Sequence, residues 1–184
     1  MKLKNFNYEI NIEIDTTYTL ESMDNKKYDY VFNPNNLTRK DYTKVLGIEI
    51  KNVYGNVVNI ALIGYIYASS DDYAVLEDSK LIILMDSTII VIELKKFTIK
   101  HKCIGDSGCY FSIHSFCDGY VIYGEQEIIK INLNLEVEWT FSGADIFVLP
   151  YSDESAFKIN GEIIELIDWN GASYKIDKYG KLIL

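Results

Sequence analysis

The run Ile89-Ile90-Val91-Ile92-Glu93-Leu94 returns 39 residues later as Ile128-Ile129-Lys130-Ile131-Asn132-Leu133, and this near-repeat decides the fold class. Ile131-Asn132 returns again as Ile176-Asp177 at an offset of 45, and Val137 then falls on Leu182. Each run is short, rich in β-branched residues and bounded by turn chemistry, the signature of a strand and not of a helix. A period of roughly 40 to 45 residues is that of a four-stranded propeller blade. The repeating unit reads as strand, turn, strand with an Asp or Asn exit, tight turn, strand. Asp177-Lys178-Tyr179-Gly180-Lys181 is its best-formed turn. Such units bury their apolar faces by stacking on neighbours. Three copies are visible, which fits a partial β-propeller or a sandwich of antiparallel meander sheets equally well.

Working toward the N-terminus, the period-two pattern persists. Tyr8, Ile10, Ile12 and Ile14 alternate with polar neighbours, as do Tyr28, Tyr30 and Phe32 ahead of Asn33-Pro34-Asn35-Asn36. Ile48 and Ile50 face Val57 across Tyr54-Gly55-Asn56, a hairpin signal. One helix is expected over Thr38–Leu46: Thr38 caps it, Asp41 follows three residues on, and Gly47 ends it. The 184 residues suit a single all-β domain with one short helix. Within it, 1–70 form an N-terminal β portion and 71–184 a repeat-like meander.

Phe141-Ser142-Gly143-Ala144-Asp145-Ile146-Phe147, Asp168-Trp169-Asn170-Gly171-Ala172-Ser173-Tyr174-Lys175-Ile176-Asp177 and Gly180-Lys181-Leu182-Ile183 carry a family resemblance. Together they resemble the C-terminal pattern of a group of small uncharacterised bacterial β-rich proteins, over about the last quarter of the chain. Ala144 stands where that pattern leads one to expect a basic residue. The hairpin unit itself is similar to quinoprotein-like β-propeller repeats, in which a hydrophobic-Asp-x-x-Gly-Lys turn leads toward a Trp. The resemblance implies a fold and assigns no reaction.

Compartment follows from what is missing. The N-terminal fifteen residues alternate and lack the apolar run of a signal peptide. Val57–Ala68, the most apolar window, is too short for a membrane span and is interrupted by Asn59. Three cysteines, Cys103, Cys109 and Cys117, form no disulfide framework. A cytoplasmic protein with reduced thiols is the expectation, and abundant Ile, Asn and Lys with a single arginine fit an AT-rich bacterial genome.

Catalytic chemistry has little to work with. Gly105-Asp106-Ser107-Gly108 resembles a serine-protease nucleophile motif, but a triad needs a distant His and a buried Asp. The two histidines, His101 and His114, lie within seven residues of Ser107, so a turn is the better reading. His101, Cys103, Cys109, His114 and Cys117 are all potential zinc ligands. They lack a close Cys-x-x-Cys pair, and on a strand Cys109, Phe111, Ile113 and Cys117 share one face opposite His114. Buried structural thiols are therefore expected ahead of a metal site. There is no phosphate-cradling Gly-rich loop and no calcium-hand spacing. Asp71-Asp72 and Asp153-Glu154 are only sequence neighbours, whereas glycosidase carboxylates must converge across a cleft. No catalytic residue, metal or cofactor is expected.

Charge says more. Eighteen basic against 27 acidic residues leave −9, which disfavours nucleic acid. The charge is segmental: residues 52–94 carry −5, the four lysines of 95–102 carry +4, and 103–157 carry −8. Glu136 and Glu138 alternate with Val137, Trp139 and Phe141, and Glu125 and Glu127 precede them at a turn. Tyrosine is the other surplus, fifteen in all, with Tyr28, Tyr30 and Tyr73 beside acidic residues. The expected contact set is Glu125, Glu127, Glu136, Glu138, Asp71, Asp72 and Tyr73, facing a basic protein partner. Competing with this are solvated faces and a simple cross-hairpin pairing of Lys130 with Glu136 or Glu138. The most concrete function is a bacterial immunity protein that covers the active site of a basic toxin. The alternative is a β-scaffold for small-ligand binding or assembly.

Overall fold

The computed structural model describes residues 1–38, 44–64, 66, 72–85, 87–104, 109–150 and 155–183, with Lys44 described for its backbone alone. The first sheet holds β1 (Lys2–Lys4), β2 (Tyr8–Ile14), β3 (Tyr30–Phe32), β4 (Lys44–Asn52) and β5 (Val57–Gly64), ordered β1-β2-β4-β5-β3 with β3 parallel to β5. The second is the meander β6 (Ala74–Glu77), β7 (Lys80–Met85), β8 (Thr88–Glu93) and β9 (Thr98–Cys103). The third repeats it with β10 (Tyr110–Phe116), β11 (Gly119–Gly124), β12 (Ile128–Asn132) and β13 (Val137–Phe141). The fourth has β14 (Phe157–Asn160), β15 (Ile163–Ile167) and β16 (Ser173–Asp177), and Leu182 bridges to Ile176 where a fourth strand would run.

Packing follows the pleat. On β8, Ile90 and Ile92 join the cluster shared with the first sheet, whereas Ile89 and Val91 join the cluster shared with the third. On β11, Tyr120 and Ile122 face the second sheet and Val121 and Tyr123 face the fourth. The second and third sheets are thus covered on both faces, which is why β8 reads as an unbroken apolar run and the apolar run of β12 is broken only by Lys130 before it exits at Asn132. The ends of the stack differ. The outer face of the first sheet (Val45, Ala61, Ile63) is covered by Tyr18, Leu20, Tyr28 and Leu37 of the β2–β4 connection. The outer face of the fourth carries the cross-strand row Lys158, Glu165 and Lys175, with a 3.0 Å ion pair between the last two. No apolar cluster joins the fourth sheet to the first among the described residues. The architecture is all-β, an open propeller-like stack of four sheets and not a two-sheet sandwich.

The sequence repeat lies on equivalent strands: β8, β12 and β16 are each the third strand of their sheet. The expected turn recurs as well. Asp177 Oδ1 accepts the N–H groups of Tyr179 and Lys181, both at 2.9 Å, and Gly180 N–H donates to the Asp177 carbonyl. Asn132 repeats this with Asn134 and Glu136 (2.8 and 3.0 Å), Asn52 with Tyr54 and Asn56 (3.0 Å each), and Asp168 with Asn170 and Ala172 (3.0 and 2.9 Å). Side-chain capping of this kind satisfies donors that a tight turn would leave to water. The fourth residue of each turn is left-handed: Gly55, Leu135, Gly171 and Gly180.

The helix expected over 38–46 is overturned where it can be seen. Lys44, Val45 and Leu46 belong to β4, paired with Gly64, Ile63 and Leu62, and residues 39–43 lie outside the described ones. Val45 and Leu46 are fully buried on opposite faces of the sheet. That two-sided burial overrides the local capping signal. The strand face assigned to Cys109, Phe111, Ile113 and Cys117 is also corrected. A bulge between Tyr110 and Ser112 breaks the alternation. Tyr110 and Ile113 consequently face the second sheet, and Phe111 and Phe116 the fourth.

Two glycine substitutions separate backbone strain from packing. Gly171 has φ +84° with open space where a Cβ would stand, whereas at Gly180 (φ +78°) a Cβ would lie 2.8 Å from the Trp139 ring. Gly171→Ala is expected to cost about 1 kcal/mol from the left-handed backbone alone. Gly180→Ala should cost clearly more, read from urea midpoints at constant m-value. Equal costs would show that Trp139 moves freely.

Candidate functional site on the third sheet

Lys130 organises the acidic region. Its neighbours Ile129 and Ile131 point into the second-sheet interface, so period two turns Lys130 toward the fourth. Its side chain is 1% exposed, and Nζ donates to Glu138 Oε2 (2.9 Å), Asp118 Oδ1 (3.2 Å) and the Ile131 carbonyl (3.2 Å). Gly119 makes room for this, since a Cβ there would lie 2.8 Å from Nζ and 2.1 Å from the Ile131 oxygen. The ammonium hydrogen-bonded to Asp118 holds that carboxyl below its ordinary value. Of the two partners considered from sequence, Glu138 makes the pair. Glu136 instead accepts from the Asn132 side chain at 3.0 Å. Asp118 was not anticipated, although Asp118-Gly119 between two apolar runs is a recognisable hairpin signal.

The expected contact residues do not form one patch. Glu136 closes the β12–β13 turn and Glu138 follows on β13, with the Asp118 side chain 82% and Leu133 60% exposed at the same end of the sheet and Val137 47% exposed between the two glutamates. Glu125 and Glu127 sit at the opposite end of β12, about 17 Å away at ordinary strand rise. Both are half-buried. Glu127 accepts the Tyr110 hydroxyl at 2.7 Å, and the Glu125 backbone bonds to Cys109 and Phe147. Asp72 is exposed, and its carbonyl takes the Ile113 N–H at 2.8 Å, joining the second and third sheets. Asp71, like Asp153 and Glu154, lies outside the described residues.

Tyr73 is corrected outright: at 8% exposure it is packed into the core between the first two sheets and offers no contact surface. Tyr28 is half-buried, donating its hydroxyl to Asp15 at 2.7 Å, and Tyr30 is 38% exposed with its ring stacked on Phe97. A tyrosine beside a carboxylate in sequence is here mostly a packing residue with a tethered hydroxyl.

Buried thiols were expected, and the structure reverses this. Cys103 and Cys117 are exposed and Cys109 is half-buried. Cys103 ends the lysine-bearing edge strand β9, and Cys117 occupies a left-handed turn position at φ 53°. Burial and Glu162 together raise the Cys117 thiol above its ordinary value. Cys109 and Cys117 bracket all seven residues of β10, over 20 Å apart at about 3.4 Å per residue. Among the described residues no three His, Cys, Asp or Glu side chains converge on a metal-sized site. His114 stacks on Phe157 at 5.1 Å, its Nε2 is 2.8 Å from Ser112 Oγ, and burial lowers its pKa. The Gly105–Gly108 turn lies outside the described residues.

No protein-family model matches the chain. No curated protein matches it in sequence. Solved structures similar to it include BamB from Moraxella catarrhalis, with a TM-score of 0.47 and 11% identity. That match covers 80% of this chain and 48% of BamB, so the chain spans about half the length of that protein. No helix among the described residues is long and apolar enough to cross a membrane.

The Lys130 cluster gives a pH test. Asp118 has a depressed pKa in the folded state, so its contribution is fully present above its ordinary value of 3.8 and is lost as pH falls through the lower folded value. Lys130→Met should flatten this acid limb of the stability profile. Glu138→Ala, which leaves the buried ammonium with one carboxylate, should destabilise by about 2 kcal/mol at pH 7. It should cost more than Lys130→Met, and chemical denaturation across pH 3–7 reads both.

Proposed function

We propose that this is a non-enzymatic protein-binding module, most concretely an immunity protein that neutralises a basic cognate toxin in the bacterial cytoplasm. The observation that carries the reading is the β12–β13 turn of the third sheet. There Leu133 and Val137 stand exposed among Asp118, Glu136 and Glu138. Apolar anchors beside these three carboxylates suit a partner that presents a basic surface around an apolar pocket, with Lys80 and Lys100 bounding the site where Leu133 meets the second sheet. The turn is held by Asn132, so little conformational entropy is lost on docking. Net charge of −9 adds long-range attraction for a basic partner. Covering a toxin's active site requires no reaction, only complementary shape and charge.

The two ends of β12 are separable by experiment. Reversal of Glu127 or Glu138 would strip an internal partner from Tyr110 or Lys130 and confuse folding with binding. Glu136→Lys and Glu125→Lys probe the two ends instead. With the cognate partner, Glu136→Lys is expected to slow association about tenfold at low salt and to flatten its salt dependence, while Glu125→Lys leaves both near the parent. Stopped-flow association rates at two ionic strengths decide it. Unchanged rates for Glu136→Lys would remove this turn from the interface.

A further inference from the structure

At the junction of the first and second sheets, the β1–β2, β4–β5 and β6–β7 turns and the start of the β8–β9 turn surround a cleft of about 520 Å³. Asn7, Tyr8, Asn52, Tyr54, Asp78, Ser79 and Lys95 supply its character. We propose that this cleft binds a neutral oligosaccharide, independently of the acidic turn on the third sheet.

The walls are fixed before any ligand arrives. Asn5 Oδ1 accepts the N–H groups of Asn7 and Tyr8 at 2.9 Å, and Asn5 Nδ2 donates to the Asp78 carbonyl at 2.8 Å. Val53 N–H donates to the Asn7 carbonyl at 3.0 Å, and Asn52 caps its own turn. Three turns are thereby tied into one rigid rim. Among the lining residues, Asn7, Asp78 and Lys95 are exposed and Ser79 half-buried, and none of these side chains makes a hydrogen bond or ion pair with the described residues.

The free groups define the ligand. Asp78 only accepts, Lys95 only donates, and Asn7 and Ser79 do both. Sugar hydroxyls, which donate and accept at each oxygen, match such a mixed set. One carboxylate and one ammonium leave the cleft without net charge, so an acidic or a basic ligand would meet a like charge. Tyr54, which lines the cleft, is 87% exposed, a large ring held in water. An aromatic face there can lie against the C–H face of a pyranose while the hydroxyl edges reach the polar groups below. The volume falls within the ordinary range for ligand sites.

The test is an amide-NMR titration of the 15N-labelled full chain with neutral hexasaccharides: cello-, chito-, malto- and mannohexaose. Saturable shifts are expected with at least one of them, confined to residues 5–8, 52–56, 78–79 and 95. Tyr54→Ala should weaken binding about tenfold and Asp78→Asn several-fold, with the remaining spectrum unchanged. Failure of all four sugars to shift these amides at about 10 mM would overturn the proposal. So would shifts indifferent to Tyr54→Ala, or saturation of the same amides by the zwitterion glycylglycine but by no sugar. None of these outcomes bears on Glu136 and the toxin partner.

Discussion

Two-sided burial of the second and third sheets is the constraint on which the rest depends. Neither sheet has a face that water could cover: Leu81, Ile83, Ile90 and Ile92 require the first sheet, and Ile82, Leu84, Ile89 and Val91 require the third. Stability is therefore passed between neighbours, as in other stacked repeats. The two outer sheets end the series by different means, the first with the segment carrying Tyr18, Leu20, Tyr28 and Leu37, the fourth with the charged row Lys158, Glu165 and Lys175. Polar links reinforce the stack at each step. Tyr120 and Ser115 donate to Glu77 across the second and third sheets, and Trp139 Nε1 donates to the Lys178 carbonyl across the third and fourth.

The acidic character of the middle segment takes on a different meaning inside this frame. Charges that looked equivalent along the chain divide by how far the stack encloses them. Glu77, Glu127 and Glu138 each accept from a tyrosine hydroxyl or the buried ammonium, and so hold strands together. Asp118 and Glu136 also accept, from Lys130 and from the Asn132 side chain, but both keep most of their surface in water. These two differ from the first three in exposure and not in being unpaired: each offers a second carboxylate oxygen or open lone pairs to water while its internal hydrogen bond stays made.

The strands and the Asx turns were legible because they obey local rules. The Ile-rich third strands repeat with the blade period, and Asp177 or Asn132 followed three residues later by a left-handed position is a local chemical unit. The failures share a cause, which is dependence on the other side of a sheet. Thr38–Leu46 carries helix-like capping, yet Val45 and Leu46 are claimed by opposite faces of the first sheet. The β10 bulge shifts every side chain after Phe111, and no residue near it announces the shift. Tyr73 is buried for the same non-local reason, as it meets the first sheet. The split of the four glutamates between two ends of β12 was implicit in the strand length, but a reading by charge density passes over it.

The repeated Asx turn has an evolutionary consequence. In each copy the residue that holds the turn is its first, and the two that follow stand at the tip: Val53 and Tyr54, Leu133 and Asn134, Trp169 and Asn170, Lys178 and Tyr179. All of these but Lys178 are exposed. Replacing a tip residue leaves the capping oxygen, the left-handed fourth position and the strand register untouched. Variation at the tips therefore carries little folding cost, apart from Asn170, whose amide holds Asp145, and Lys178, which pairs with Glu162, while variation one residue earlier is costly in every copy. A lineage that must track a changing partner can rewrite these surface letters and keep the grammar of the sheets constant.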